Sequence, residues 1–165
     1  SRPASRASPS MLTQTLSALQ STFAYAFAAD RYPGVPELRL HPITGRAFEA
    51  GGVALEAIAV MHYRMPVLGF RIGGLAYITD AKTIAEEEIS RLRGIHTLVL
   101  NALRIEEHVS HFNLKGALAM VERIAPQRAY FTHISHLLGT HAEVAKQLPT
   151  GVELGYDGLA LDIPG

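Results

Sequence analysis

The chain has 165 residues, is 48% hydrophobic and carries 15 basic against 15 acidic residues, so it can bury a sizeable core and has no net charge to offer a polyanion. That balance argues against a broad nucleic-acid footprint, though a few Arg residues would suffice for a small phosphate pocket. The absence of cysteine excludes disulfides, cysteine zinc sites and thiol catalysis, and no apolar run approaches the roughly 20 residues of a membrane span.

Residues 1–10 contain only Ser, Arg, Pro and Ala and are read as a disordered or scrambled lead-in, too short for a targeting helix. The domain is expected over residues 11–165. Ser8-Pro9 is a helix start, and Met11, Leu12, Leu16, Leu19, Phe23 and Phe27 recur at three- and four-residue spacing, which predicts one helix to about Ala29. A rigid Pro-Gly loop follows at residues 32–36, then a short strand at 37–43. Gly51-Gly52 turns the chain into a longer strand at 53–61, Pro66 interrupts the next segment, and strands at 67–72 and 75–79 form a hairpin at Gly73-Gly74.

The pattern then changes. Thr83 and Glu86 read as a capping box for a helix to about Arg93. The run Glu86-Glu87-Glu88 reads as a solvated helix face. An apolar strand at 95–100 is followed by a helix capped by Asn113, a strand at 129–132, a helix near 141–148, and a last pair of strands near 152–154 and 159–163. The front is antiparallel and the back is β-α-β, an α/β (α+β) arrangement with no linker and no internal repeat.

Four polar residues fall where strands end or loops begin: His62, Asp80, His111 and His133. Ligands collect at the carboxyl ends of strands in layered α/β proteins, and imidazole and carboxylate suit zinc, manganese or iron. One such His is more often packed than functional; four together shift the balance toward a site.

These residues lie within a longer series: Met61-His-Tyr-Arg-Met-Pro-Val-Leu-Gly-Phe-Arg-Ile72, Tyr77-Ile-Thr-Asp80, Ser110-His-Phe112, Tyr130-Phe-Thr-His-Ile-Ser-His136 and Tyr156-Asp-Gly158. The series resembles the metallo-β-lactamase superfamily over roughly residues 15–163, and is most similar to its phosphoribosyl cyclic phosphate phosphodiesterase branch. The resemblance implies the C-terminal part of a four-layer αββα sandwich with two divalent metals, zinc or manganese, between its sheets. It implies that His62 ligates one metal, Asp80 bridges both and His133 ligates the second, while His111 meets phosphate or acts as general acid. A shared carboxylate of this kind holds two cations about 3.5–4 Å apart. Arg71 and Arg104 are weaker candidates for phosphate contacts. His136 is a candidate supporting residue; His108 and His141 read as solvated or supporting, and His41 and His96 as packed or surface residues with no role in the site.

The motif His-x-His-x-Asp-His, which supplies most first-metal ligands in that family, does not occur in this sequence. The expectation is a fragment or degenerate relative that is inactive as given and holds little or no metal, whose intact parent hydrolyses a small phosphodiester in the cytoplasm. Two other readings stand beside it. One is a non-catalytic half-domain completed by a partner or by dimerisation. The other is a tRNA-maturation-type nuclease, which the balanced charge disfavours.

Overall fold

The computed structural model describes residues 9–163, with side chains from Thr15 onward. Most of the lead-in over residues 1–10 therefore lies outside the described residues, as do Ser8 and the side chains of Met11 and Leu12. The chain divides into two compact units, one ending at Phe48 and one beginning at Glu49. Among the described residues no helix is long and apolar enough to cross a membrane.

In the first unit the expected single helix is two: α1 over Pro9–Thr22 and a one-turn α2 over Ala24–Phe27, with Phe23 between them. Residues 37–43 form no strand. Pro36 and Pro42 lack the N–H a ladder needs, and Glu37 spends its carboxylate on Arg39, 2.8 Å away. The unit boundary falls within β1, Ala47–Ala50.

The second unit is built on a mixed sheet. Its elements are β2 (Val53–His62), β3 (Met65–Ile72), β4 (Leu75–Ile78), β5 (Thr83–Ile84), α3 (Glu86–Leu92), β6 (Thr97–Asn101), α4 (Leu114–Ile124), β7 (Arg128–Thr132), a 3-10 turn at His136–Leu138, α5 (His141–Ala145) and β8 (Val152–Leu154). From β2 onward the strand order is β2-β3-β4-β6-β7-β8, with β5 paired to β2. The pairs β2·β3 and β3·β4 are antiparallel; β4·β6, β6·β7 and β7·β8 are parallel. The antiparallel front, the β-α-β back and the Gly73-Gly74 hairpin stand as the sequence implied.

Register explains the core. One row crosses the sheet through Ile58, Gly69, Ile78, Leu100, Phe131 and Leu154, and all but the glycine belong to the main apolar cluster. Ile89 and Leu92 of α3 and Leu114, Ala117, Met120 and Ile124 of α4 belong to that cluster too. The next row, Ala57, Phe70, Tyr77, Val99, Tyr130 and Glu153, points to the opposite face because side chains alternate along a strand.

Four local expectations give way to competing interactions. Pro66 lies inside β3, opposite Met61, near the strand start where a missing N–H is tolerated. Thr83 enters β5 instead of capping α3, whose N-cap is Ala85 with no side-chain bond. Glu88 is buried: Arg91 holds it at 2.5 Å and also reaches Glu56 on β2 at 2.6 Å, so this part of the acidic run packs against the sheet. Residues 159–163 run unpaired, and Leu159 and Leu161 line a cavity with Tyr130 instead of joining the ladder.

Asn113 does cap α4, its side chain accepting from Gly116 N–H. The helix ends at Ala125 with φ 51° and ψ 54°, its N–H bonded to Val121 O. Left-handed backbone costs an L-residue roughly 1–2 kcal/mol, and glycine avoids this at some cost in chain entropy. Ala125→Gly should therefore raise stability by about 1 kcal/mol, read as a higher urea midpoint at unchanged slope.

Candidate metal centre

β2, β4, β6 and β7 all run the same way: β2 is two antiparallel steps from β4, and the others are parallel to it. Their C-terminal ends therefore share one edge. At those ends stand His62, the last residue of β2; Asp80, two residues past β4; Asn101, the last of β6; and His133, directly after β7. His111 reaches the same place from the loop between β6 and α4.

The four sequence candidates converge. His111 Nε2 lies 3.1 Å from Asp80 Oδ1, and His133 Nε2 lies 3.6 Å from the same oxygen. The His111 ring stacks on His133 with centroids 4.7 Å apart, and meets His62 edge-on at 4.6 Å. Ligand-capable atoms of His62, Asp80 and His111 lie within 4.8 Å of one another. His62 and Asp80 line a cavity of about 170 Å³ with Val60, Met65, Val67, Leu68 and Thr79.

Burial acts against the charge of Asp80. The hydrogen bonds of His111 and Thr79, with the charges of His133 and His111, outweigh it and hold the carboxyl below its usual range. Burial also dominates at His111. It pushes the imidazole below its ordinary value, opposed by the Asp80 contact and assisted by repulsion from His133 and His62. At neutral pH the cluster therefore presents a charged carboxylate and a neutral His111.

The loops that carry these groups are tied to one another. Lys82 N–H donates to Met61 O at 2.7 Å, joining the Asp80 loop to the residue before His62. Phe112 N–H donates to Ala81 O at 2.9 Å, joining the residue after His111 to the residue after Asp80. Ala102 N–H donates to Thr132 O at 3.0 Å, next to His133. His133 itself has φ +55°, the left-handed region that few side chains adopt. Such strain persists only where the surroundings determine the backbone, and it gathers at functional sites.

Asn101 is the residue the sequence reading passed over. Its side chain is fully buried, accepts from Ala81 N–H at 2.9 Å and donates to Ala81 O at 3.0 Å. It thereby fixes the peptide that follows Asp80. A polar residue ending the apolar strand β6 was the available signal. Asn101→Leu leaves Ala81 N–H buried without its acceptor, which should cost about 1–3 kcal/mol. Thermal melting of the variant checks this; a change within a few tenths of a kcal/mol would mean that the amide holds nothing.

The remaining candidates are less central. Arg71 donates to Gly73 O and Arg91 O, and Arg104 to Glu106 O and Glu107 O, so both guanidiniums are engaged with nearby carbonyls. His136 opens the 3-10 turn and is exposed. His96 bonds Thr97 Oγ1, and His141 meets Tyr156 edge-on. Ser110, which the sequence did not single out, and His108, read there as solvated or supporting, contact His111 directly.

The donor set fits a divalent cation. It offers imidazole nitrogens and one carboxylate held ionised, with no thiolate, which is the chemistry of zinc and manganese sites.

A family model described as a beta-lactamase superfamily domain matches residues 6–134. An octanoyltransferase of Porphyromonas gingivalis (strain ATCC BAA-308 / W83) is 35% identical over 146 residues, 87% of this chain and 30% of that protein. Among solved structures, a diphosphatase from the PhnP family superposes with a TM-score of 0.78 at 34% identity, over 88% of this chain and 53% of that one. Zn²⁺-bound PqqB from Methylobacterium extorquens gives 0.66 at 20% identity, over 94% and 63%, and supports the fold alone. The chain thus spans about half the length of that diphosphatase and less than a third of the octanoyltransferase. With the family model covering most of its length, the mixed sheet and the strand-edge His–Asp cluster are those of a member of the metallo-β-lactamase superfamily.

Proposed function

We propose that this chain carries part of the site of a metal-dependent hydrolase acting on phosphodiesters, with a small cyclic phosphate as one substrate class. The observation that carries the reading is the meeting of His62, Asp80 and His111 within 4.8 Å, with His133 stacked on His111. The 34% identity to a diphosphatase supports phosphorus–oxygen chemistry. The octanoyltransferase match leaves most of that protein uncovered, so its name gives no support for acyl transfer here.

His62, Asp80 and His133 would hold two cations in a complete site, zinc or manganese, with Asp80 serving both. Bound there, such cations supply Lewis acidity to a phosphate oxygen. The chain's own residues do the rest. Asp80 stays ionised and fixes the positive charge. Water attacks phosphorus as the bond to the leaving oxygen breaks; His111, neutral at rest, would take up at Nε2 the proton that the water releases and deliver it to that leaving oxygen. His133 and His62 wall the ring so that Nε2 faces the carboxylate.

Without a His-x-His-x-Asp-His segment, the 165-residue chain should hold less than one metal per molecule after dialysis and hydrolyse bis(p-nitrophenyl) phosphate negligibly. Joined to such a segment it should hold two metals and turn over. Elemental analysis beside the kinetics tests this; tightly held metal and turnover in the short chain would overturn the need for the motif.

A second reading, a half-domain completed by a partner or a second copy, is favoured by one observation. Val53 and Tyr77 are exposed on the sheet face opposite the core cluster. Light scattering on the same preparation reports on it: a clean monomer that binds no apolar dye would remove it.

A further inference from the structure

Asp80 meets only one edge of the His111 imidazole. The other edge, at Nδ1, lies 3.0 Å from Ser110 Oγ and 3.2 Å from His108 Nδ1. Ser110 Oγ also lies 3.2 Å from His108 Nδ1. Hydroxyls and imidazoles can reverse their hydrogen bonds, but one donor in this group cannot. The backbone N–H of Ser110 donates to His108 Nδ1 at 3.3 Å. That nitrogen must therefore keep its lone pair, and the proton of a neutral His108 sits on Nε2. That lone pair also faces His111 Nδ1 at 3.2 Å, where a proton on His111 Nδ1 would be attracted to it and a second lone pair would repel it.

We propose that His108, with Ser110, is a positioning residue for His111: it keeps a proton on Nδ1 and so reserves Nε2, the atom at Asp80, for proton exchange. The functional consequence rests on the hydrolase reading above, whereas the tautomer rests on the hydrogen-bond geometry alone. The nitrogen of a His that works is set by the bond its other nitrogen makes, and His108 makes that bond.

One force opposes it. The Asp80 carboxylate draws the same proton toward Nε2 in a charge-assisted bond, stronger than a neutral one. A cation on the carboxylate removes that pull. So does Asp80→Ala, which isolates the contribution of His108 without any metal. His108 is half-buried on a loop outside the strands, so its replacement leaves the core rows intact.

The experiment is nitrogen-15 NMR of histidine-labelled, metal-free chain, at a pH where the rings are neutral. In Asp80→Ala, His111 should be protonated at Nδ1. In Asp80→Ala/His108→Leu that preference should be lost, and in Asp80→Ala/His108→Asn, whose carbonyl can accept the same proton, it should return. Equal melting curves across the three keep folding out of the comparison. A His111 protonated at Nε2 in Asp80→Ala, or one indifferent to His108→Leu, overturns the proposal. In a metal-loaded, active form with Asp80 intact, His108→Leu should lower kcat about 10–100-fold at constant KM, the usual effect of losing such a support, with His108→Asn recovering most of it. Failure of the hydrolase reading would appear as no turnover in any form and would leave the tautomer result standing. A failed tautomer result beside normal catalysis would sink this proposal alone.

Discussion

Asp80→Ala is expected to strip both metals from a form of the protein that binds them, because a single carboxylate lies between His111 at 3.1 Å and His133 at 3.6 Å and, among the described residues, is the one anionic donor in the cluster. Losing one neutral imidazole weakens one site, whereas losing the carboxylate removes the charge that offsets two cations. Elemental analysis after dialysis should find no bound metal, and turnover should fall to background. His111→Ala gives the contrasting result. It should keep the metals and lower kcat by about 10²–10⁴-fold, the size of a lost general acid. The contrast matters because Nε2 of His111 is as close to the carboxylate as a ligand would be. Metal loss in His111→Ala would make it a ligand, and the proton-transfer role would then be wrong.

Phe131→Ala is expected to cost about 3–5 kcal/mol. The ring is 0% exposed and sits in the core row between Leu100 and Leu154. Its loss opens a cavity where three parallel strands meet. If the total stability is about 5 kcal/mol, the low end for such domains, that leaves a sizeable part of the population unfolded. Urea denaturation should show the midpoint falling at constant slope. A cost under about 1 kcal/mol would mean that this row is not the centre of the core. Phe131 is also two residues before His133, so a loosened β7 should weaken metal binding in the molecules that remain folded.

Much of the site could be read from the sequence, for a simple reason. A polar residue that ends an apolar strand breaks a pattern, and His62, Asp80 and His133 each do so. Parallel and doubly antiparallel steps then bring those ends to one edge without any further information. Asn113 was readable because capping is local. What escaped was decided by partners distant in sequence. Asn101 answers Ala81, twenty residues away, and Glu88 answers Arg91 and, through it, Glu56. Thr83 was a good local cap, but pairing with Met61 in β5 prevailed. Residues 159–163 have the alternation of a strand and find no ladder to join. His108 lies in a loop with no periodicity, so its sequence leaves it solvated or supporting, and only the contacts at Nδ1 place it beside His111.

The backbone bonds that tie the loops together set how the edge moves. Lys82 is held by Met61, Ala81 by Phe112 and Asn101, and Ala102 by Thr132. Each loop is thus both anchor and anchored, and displacing one strains the next. The amide protons of Lys82, Ala102 and Phe112 are then protected like those of the strands, exchanging with solvent only when the sheet itself opens and not by separate loop fluctuations. A cation arriving at this edge meets donors whose disorder was already lost when the sheet folded, so little of its binding free energy is spent on arranging them.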